Sequence, residues 1–394
     1  MIADPAHPIY LDYAATTPVD PRVARAMAAA LEQSWANAAS GHMLGRRARQ
    51  TIEQARQQVA VCVGADADEI VFTSGATEAV NTAIAGVARA GLARGQAHVV
   101  TTLIEHQATL AICAQLEREG VRVTRLAPDS DGLLPPQRLL DALREETCLV
   151  SLTHVNGEIG TVIDLPRLAA ACAERGVPLH VDAAQSAGKL PIDLRQLPVD
   201  LLSLSAHKLY GPKGAGALYV RKRPTRVLLQ PLVFGGGQEG RVRGGTLATH
   251  QIVGLATALT LACEERESEQ TRLAQLRDEL WQRLHLLGGV HLNGHPTQRV
   301  GGHLSVSIEG VEGESLLLAL ESLALSRGAA CSALTGEPSY VLRALGRDDF
   351  LAASTLRITM GRPTTGEEVR FAAEHIHAQV TRLRGLSPAV VGEG

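Results

Sequence analysis

Short aliphatic runs alternate with helix-length segments over the first two thirds of the chain, and this alternation restricts the fold more than any other feature. The runs predict strands at residues 69–73, 98–102, 121–126, 149–154, 178–182, 201–205 and 217–220. Strands that are separated by helices predict a mostly parallel sheet, covered by helices on both faces. We therefore expect an α/β fold for this part of the chain.

The helix before the strand at 178–182 has clear signals at both ends. Asp164 is the predicted N-cap, Pro166 fits the first turn, and Gly176 ends the helix. These signals support the alternation of helix and strand.

The pattern changes after about residue 250. Residues 251–287 predict one or two long helices, followed by a strand at 304–308, a helix at 312–323 and a strand at 355–360. Thr365 and Glu368 form a capping-box pattern at the start of the last helix. We predict a large domain at residues 15–260 and a smaller α+β domain made of residues 1–14 and 261–394.

Composition excludes several classes of protein. With 394 residues, of which 45% are hydrophobic, the chain can form a large core, and its net charge of −3 predicts no broad cationic surface for nucleic acid. The six cysteines fit neither a zinc pattern nor a disulfide scaffold, so we expect a reducing compartment and no metal. No signal peptide or membrane-spanning run is recognisable, which makes the cytoplasm the expected location.

Residues 74–78 follow a predicted strand directly and read Ser-Gly-Ala-Thr-Glu. Small residues at such a turn let backbone N–H groups and the hydroxyls of Ser74 and Thr77 approach a phosphate. An ordinary N-cap is the alternative interpretation. Neither the dinucleotide fingerprint nor the nucleotide P-loop is present here.

Two further strand ends carry candidate chemistry. Asp182 ends the strand at 178–182, where its carboxylate is placed to pair with a protonated ring nitrogen or simply to cap a helix. Lys208 lies in the segment 205–214, beside His207 and near Ser205. A lysine there suits Schiff-base chemistry, although a basic surface loop is the alternative.

Two glycine-rich segments remain. Residues 234–246 predict either a flexible loop or a loop that carries Thr246 into an anion site. Residues 326–336 have almost no bulky apolar side chain, so we predict a mobile loop in which Cys331 is a candidate nucleophile. The other cysteines lie in helix-like or strand-like segments and are interpreted as packing residues: Cys62, Cys113, Cys148, Cys172 and Cys263.

Taken together and in this order, these segments resemble the cysteine desulfurases of the IscS/NifS type, a branch of the fold-type I, class V aminotransferase-like enzymes. The resemblance runs from residue 10 to about residue 386. It is most specific at residues 10–18, 73–78, 105–106, 154–156, 181–185, 207–214 and 337–346.

The resemblance implies pyridoxal 5′-phosphate as cofactor. Lys208 would form the Schiff base with it, Asp182 would pair with the ring nitrogen, Gln185 would bind the ring hydroxyl, and His106 would lie over the ring. The implied phosphate contacts are Ala76, Thr77, Ser205 and His207, with Thr246 reaching the phosphate in a partner subunit.

The resemblance also implies the substrate and the product. Asn156 and Arg357 would hold the carboxylate of L-cysteine, with Asn37 nearby, and Cys331 would accept the sulfur as a persulfide while alanine is released. A homodimer is implied, together with sulfur acceptors such as an iron–sulfur scaffold protein or a tRNA-thiolation partner.

Some positions depart from the family pattern. Asn37 is followed by Ala38 where proline is usual, Gly157 stands where a second asparagine is common, and Arg327 and Ala329 replace serines near Cys331. We expect these changes to bear on loop rigidity, rate and partner choice rather than on the reaction. The alternatives are a selenocysteine lyase or another class V aminotransferase, and a slow partner protein in iron–sulfur assembly.

Overall fold

The computed structural model describes residues 7–223, 227–328 and 338–386. The strands are β1 (Ile9–Tyr10), β2 (Ile70–Thr73), β3 (His98–Thr102), β4 (Arg122–Leu126), β5 (Thr147–Thr153), β6 (Leu179–Asp182), β7 (Leu201–Ser205), β8 (Gly216–Val220), β9 (Val290–Leu292), β10 (His303–Ile308), β11 (Leu323–Ala324) and β12 (Thr355–Thr359). The helices are α1 (Pro21–Gln33), α2 (Met43–Val63), α3 (Ala76–Leu92), α4 (Gln107–Arg118), α5 (Pro136–Ala142), α6 (Leu165–Glu174), α7 (Thr249–His285), α8 (Gly313–Ala319), α9 (Tyr340–Ala344), α10 (Asp349–Ala353) and α11 (Gly366–Leu386).

Within the described residues, the largest sheet has seven strands in the order β2-β8-β7-β6-β5-β3-β4. The predicted α/β fold is confirmed, and each predicted strand of this sheet is present within two residues of its expected bounds. Strands β4, β3, β5, β6 and β7 are parallel, whereas β8 runs antiparallel to both of its neighbours. Residues 206–215 are too short a connection for a crossover helix, so the chain returns from β7 to β8 in the opposite direction.

Both faces of this sheet are buried, as neighbouring residues of single strands show. Val99 and Leu149 pack with helices α3 and α4, while Val100 and Val150 face a second apolar cluster. That second cluster contains residues of α1, α2, α5, α6 and the first part of α7. Burial on both faces explains why the strands are continuous aliphatic runs rather than alternating ones.

A smaller cluster packs around a three-stranded antiparallel sheet in the order β12-β10-β9. It includes residues of α8, α11 and β1, and it takes residues of α7 from Leu273 onward. The first cluster takes residues of α7 up to Ala262. The predicted domain boundary at residue 260 falls inside this helix, and the domain division stays a prediction.

The predicted helix ends are largely confirmed. Asp164 accepts the N–H of Arg167, Gly176 has a φ of +63°, and Thr365 and Glu368 exchange capping bonds. The helix expected at 312–323 is shorter, because Glu312 is its N-cap and Leu323 instead pairs with Ile9 in the two-stranded β1–β11 sheet. No helix of the described residues is long and apolar enough to cross a bilayer.

A buried ion pair attaches the glycine-rich segment 234–246 to the outer strand β2. The Glu239 side chain is 2% exposed and accepts hydrogen bonds from Nη1 and Nη2 of Arg56 at 2.8 and 2.7 Å. It also accepts the backbone N–H of Phe72 at 2.6 Å. Glu239 thus covers the edge of the sheet, which would otherwise present an unpaired donor.

We expect Glu239→Ala to lower the free energy of unfolding by about 3 kcal/mol, because it leaves the Arg56 guanidinium buried without its partner. Urea denaturation followed by circular dichroism measures the change. Glu53→Ala is the matched control, since Glu53 also pairs with Arg56 but is 55% exposed, and it should cost less than about 1 kcal/mol. Equal losses in both variants would contradict this interpretation.

Candidate active site

A cavity of about 540 Å³ lies where β5, β6 and β7 end and α3 begins. This is the edge at which open α/β sheets bind ligands. It collects most of the site residues predicted from the sequence: Ala76, Thr77, His106, Asn156, Asp182, Gln185, Ser205, His207, Lys208 and Arg357.

Lys208 lies in the short turn that follows β7. Its Nζ donates to the carbonyl oxygens of Ala14 and Ala15, at 2.5 and 2.7 Å. Burial, followed by the charges of Lys189 and Arg357, lowers the pKa of Lys208 to about 8. The two carbonyls position the amine but carry no negative charge that would raise its pKa. The neutral, reactive form of Lys208 is therefore populated near neutral pH.

Asp182 and Gln185 follow from the end of β6. Asp182 is 6% exposed and accepts the backbone N–H of Ala184 at 2.9 Å, while burial raises its pKa. A cationic ring nitrogen beside this carboxylate would favour its charged form. Gln185 donates from Nε2 to the carbonyl of Ala14 at 2.8 Å, which joins it to the same acceptor as Lys208.

The N-terminus of α3 forms an anion cradle. Gly75 is its N-cap with a φ of +154°, and no side chain caps the helix, so the N–H groups of Ala76 and Thr77 are left for a ligand. A Cβ on Gly75 would lie 3.9 Å from Oγ of Ser205, within the space that the two segments enclose. His207 approaches from the Lys208 turn, where its Nδ1 lies 3.1 Å from Oγ1 of Thr16.

His106 is the N-cap of α4 and accepts the N–H of Ala108 on Nδ1 at 3.1 Å. Because Nδ1 is the acceptor, the proton of the neutral ring is assigned to Nε2. Desolvation lowers the pKa of His106, which favours this neutral form. The ring can therefore exchange a proton through Nε2.

Asn156 has a larger structural role than the sequence indicated. Its Nδ2 donates to the carbonyl of Ile104 at 2.8 Å, and its Oδ1 accepts the N–H groups of Glu158 and Ile159. The side chain thereby shapes the turn after β5, and one Nδ2 hydrogen remains for a ligand.

Arg357 enters the cavity from β12. It is 4% exposed, donates from Nη2 to Oδ1 of Asp12 at 2.7 Å and from Nη1 to the carbonyl of Gly157 at 3.0 Å. Its Nε is buried and has no hydrogen-bond partner among the described residues. A guanidinium that is fixed on two sides and keeps a buried donor suits the binding of a carboxylate.

Two predicted site residues are not in this cavity. Asn37 and Thr246 line a second cavity of about 890 Å³, beside Glu239 and β2. Cys331 lies outside the described residues. The described residues stop at Gly328 and resume at residue 338. A Cβ on Gly328 would contact Glu158 of the cavity wall, and Tyr340 also lines the cavity.

The other five cysteines are packing residues, as predicted. Cys113, Cys148 and Cys172 are buried, and burial raises the pKa of each, to about 12 for Cys113 and Cys172. Cys62 and Cys263 are half-buried between α2 and α7. A raised thiol pKa leaves little thiolate, so the buried three are poor nucleophiles.

No role was predicted from the sequence for two titratable groups near the site. Glu105 is 1% exposed, accepts from Oγ1 of Thr102 at 2.7 Å, and burial raises its pKa to about 8. Lys189 donates to Oε1 of Gln185 at 3.0 Å. A signal for each existed in the spacing, since Glu105 precedes His106 directly and Lys189 follows Gln185 by four residues.

This set of donors fits pyridoxal phosphate. The uncapped N–H groups of α3 with Thr77, Ser205 and His207 would hold the phosphate, Asp182 the ring nitrogen and Lys208 the aldehyde carbon. When bound, the cofactor withdraws electrons from the α-carbon of an amino acid.

Comparison with known proteins agrees with this site. The family model described as aminotransferase class-V matches residues 9–371. Curated relatives include the cysteine desulfurases IscS of Pseudomonas aeruginosa and of Azotobacter vinelandii, each 53% identical over 384 residues, 97% of this chain and 95% of the relative.

Solved structures are similar over most of the chain as well. A NifS-like protein is 34% identical with a TM-score of 0.88, covering 95% of this chain and all of that one. The protein SspA, solved in complex with cysteine, is 37% identical with a TM-score of 0.80, covering 89% of this chain and 98% of that one. The expected fold-type I architecture is thereby confirmed, and the chain belongs to the class V aminotransferase family of pyridoxal-phosphate enzymes.

Proposed function

We propose that this protein is a pyridoxal-phosphate-dependent cysteine desulfurase. It removes sulfur from L-cysteine, holds it as a persulfide on Cys331 and releases L-alanine. The observation that carries the proposal is the meeting of Lys208, Asp182 and Arg357 in one cavity, in a chain 53% identical to curated cysteine desulfurases.

Each side chain has a task that its surroundings support. Arg357 binds the substrate carboxylate through its guanidinium and holds the α-carbon near Lys208. The neutral amine of Lys208 accepts the α-proton, because its pKa of about 8 makes it a base near the working pH. Asp182 would hold the ring nitrogen of the bound cofactor with its carboxylate, and His106 exchanges a proton at Nε2.

Sulfur transfer then joins two sulfur atoms. The Cys331 thiolate attacks the sulfur of bound cysteine, so that an S–S bond forms as the C–S bond breaks. The carbon skeleton takes up a proton and leaves as alanine, and no external oxidant or reductant is consumed. In the sequence, Cys331 follows by three residues Gly328, at which a Cβ would contact Glu158 of the cavity wall.

The proposal extends to a homodimer. Thr246 lies in the second cavity and not beside its own Lys208, as a residue serving a neighbouring subunit would. Large apolar side chains close to these two residues in sequence are exposed. Phe234, in the same glycine-rich segment as Thr246, is 82% exposed, and Trp35, close to Asn37, is 71% exposed. A second copy of the chain would cover such side chains.

The acceptors are proposed by analogy with the curated relatives. The persulfide would pass to an iron–sulfur scaffold protein or to a tRNA-thiolation protein, in the cytoplasm. A reducing compartment suits this role, because Cys331 must be a free thiol before each turnover.

Purified protein supplied with L-cysteine and a reductant should release sulfide and alanine in equal amounts. We expect Cys331→Ala and Lys208→Ala each to lose both products, because one removes the sulfur acceptor and the other the amine. Cys62→Ala is the matched control and should keep full activity, since Cys62 is only half-buried but lies outside the cavity. Full activity of Cys331→Ala would instead favour a lyase or a transaminase.

The reaction of apoenzyme with pyridoxal phosphate should speed up with pH. Only neutral Lys208 attacks the aldehyde, so the rate should rise about tenfold per pH unit below the pKa of about 8 and level off above it. Stopped-flow absorbance measures the rate. A rate that still rises tenfold per pH unit above pH 9 would contradict the lowered lysine pKa.

Arg357→Lys should raise KM for L-cysteine about tenfold or more, with a smaller change in kcat, because lysine cannot reproduce the fixed planar donor set. Steady-state kinetics separate the two constants. Arg299→Lys is the matched control: Arg299 is also a buried arginine of the smaller sheet region, but it bonds backbone carbonyls outside the cavity. An unchanged KM in Arg357→Lys would remove the carboxylate role.

A further inference from the structure

Lys189 is a lysine near the site that the proposed chemistry does not use. It lies in the turn region after β6, four residues beyond Gln185, and its Nζ donates to Oε1 of Gln185 at 3.0 Å. The residue is half-buried, and desolvation of its ammonium lowers its pKa to about 8. Removing an ammonium from water costs free energy, so we expect Lys189 to have a role that offsets this cost.

The amide of Gln185 is held at both of its ends. Oε1 accepts from Lys189, and Nε2 donates to the carbonyl of Ala14 at 2.8 Å. The same Ala14 oxygen accepts from Lys208 Nζ at 2.5 Å. Gln185 and Lys208 both line the cofactor cavity, so one chain of hydrogen bonds runs from Lys189 to the reactive lysine.

Rotating this amide by 180° would exchange its oxygen and its nitrogen. The NH₂ group would then face the Lys189 ammonium, which carries donors and no acceptor, and the carbonyl would face the Ala14 oxygen. Both contacts would be repulsive. The observed orientation leaves the second hydrogen of Nε2, rather than a lone pair, available to a ligand in the cavity.

We propose that Lys189 is a positioning residue that fixes the Gln185 amide with its N–H side available to the cofactor. This inference rests on the proposed function, because it assumes that pyridoxal phosphate occupies the cavity. Gln185 would donate to an oxygen of the cofactor ring, and Lys189 would act through Gln185 without touching the cofactor.

The charged surroundings of Lys189 come from several segments. A small cavity of about 40 Å³ is lined by Lys189 and Lys208 together with Arg266, Glu269, His303 and Arg362. Glu269 favours the protonated form of Lys189, whereas Lys189 in turn disfavours the protonated forms of Lys208 and His303. A direct charge effect of Lys189 on Lys208 must therefore be separated from its effect on the Gln185 amide.

A double-mutant cycle on the cofactor-loaded protein makes this separation. The readout is the pH midpoint of the visible absorption band that pyridoxal phosphate acquires when bound to Lys208. A donor to the ring oxygen stabilises negative charge there and lowers this midpoint. We expect Lys189→Met and Gln185→Ala each to raise it by about one pH unit, and the double variant to raise it no further.

Two results would overturn the inference. If Lys189→Met shifts the midpoint as much in the Gln185→Ala background as in the wild type, the lysine charge acts directly. If Lys189→Met has the wild-type midpoint, the lysine is not needed for the amide. Failure of the proposed function looks different, because wild-type protein mixed with pyridoxal phosphate would then show no such band.

Lys189→Arg is the conservative control. It keeps a charge and a donor, so its midpoint should stay close to that of the wild type. It also keeps the inference testable if Lys189→Met does not fold, as thermal unfolding would show. A Lys189→Arg midpoint equal to that of Gln185→Ala would then count against the positioning role.

Discussion

The site depends on holding a lysine amine in place without supplying it with a negative partner. Lys208 achieves this through two backbone carbonyls, those of Ala14 and Ala15, which bind its Nζ but stabilise a proton less than a carboxylate would. Those carbonyls must be brought from the other end of the chain. The N-terminal segment is fixed beside the Lys208 turn by Thr17, whose N–H and hydroxyl both donate to the carbonyl of His207.

The same segment joins the two apolar clusters. Asp12 binds Arg357 of β12, and Asp20 binds Arg362 at 2.7 Å, so both ends of the segment are attached to the smaller sheet region. The Arg362 guanidinium also lies 4.2 Å from the ring centre of Tyr210, which follows the Lys208 turn. The substrate recognition proposed for Arg357 and the reactivity proposed for Lys208 thus depend on one shared piece of backbone.

The sequence predicted the parts of the fold that local patterns determine. Continuous aliphatic runs placed the strands of the large sheet, and Asp164, Gly176 and the Thr365 capping box marked helix ends, because these signals act within a few residues. The reversal of β8 and the pairing of Ile9 with Leu323 were not predicted, since both depend on distant segments meeting. Nine of the ten site residues in the cavity met there because the ends of parallel strands share an edge, whereas Arg357 comes from β12 of the smaller sheet. The bond from Lys189 to Gln185 depends on a turn that periodicity does not describe.

Helix α7 sets the orientation of the two halves of the chain, each built around one of the two apolar clusters, relative to each other. Its 37 residues extend for about 55 Å and enter the first apolar cluster up to Ala262 and the second from Leu273. Because the helix is continuous, it fixes the rotation of the first apolar cluster relative to the second. Each residue inserted or removed between these two points would rotate one half by about 100° against the other and carry Arg357 away from Lys208. The length of this stretch is accordingly as much a part of the catalytic geometry as the side chains in the cavity.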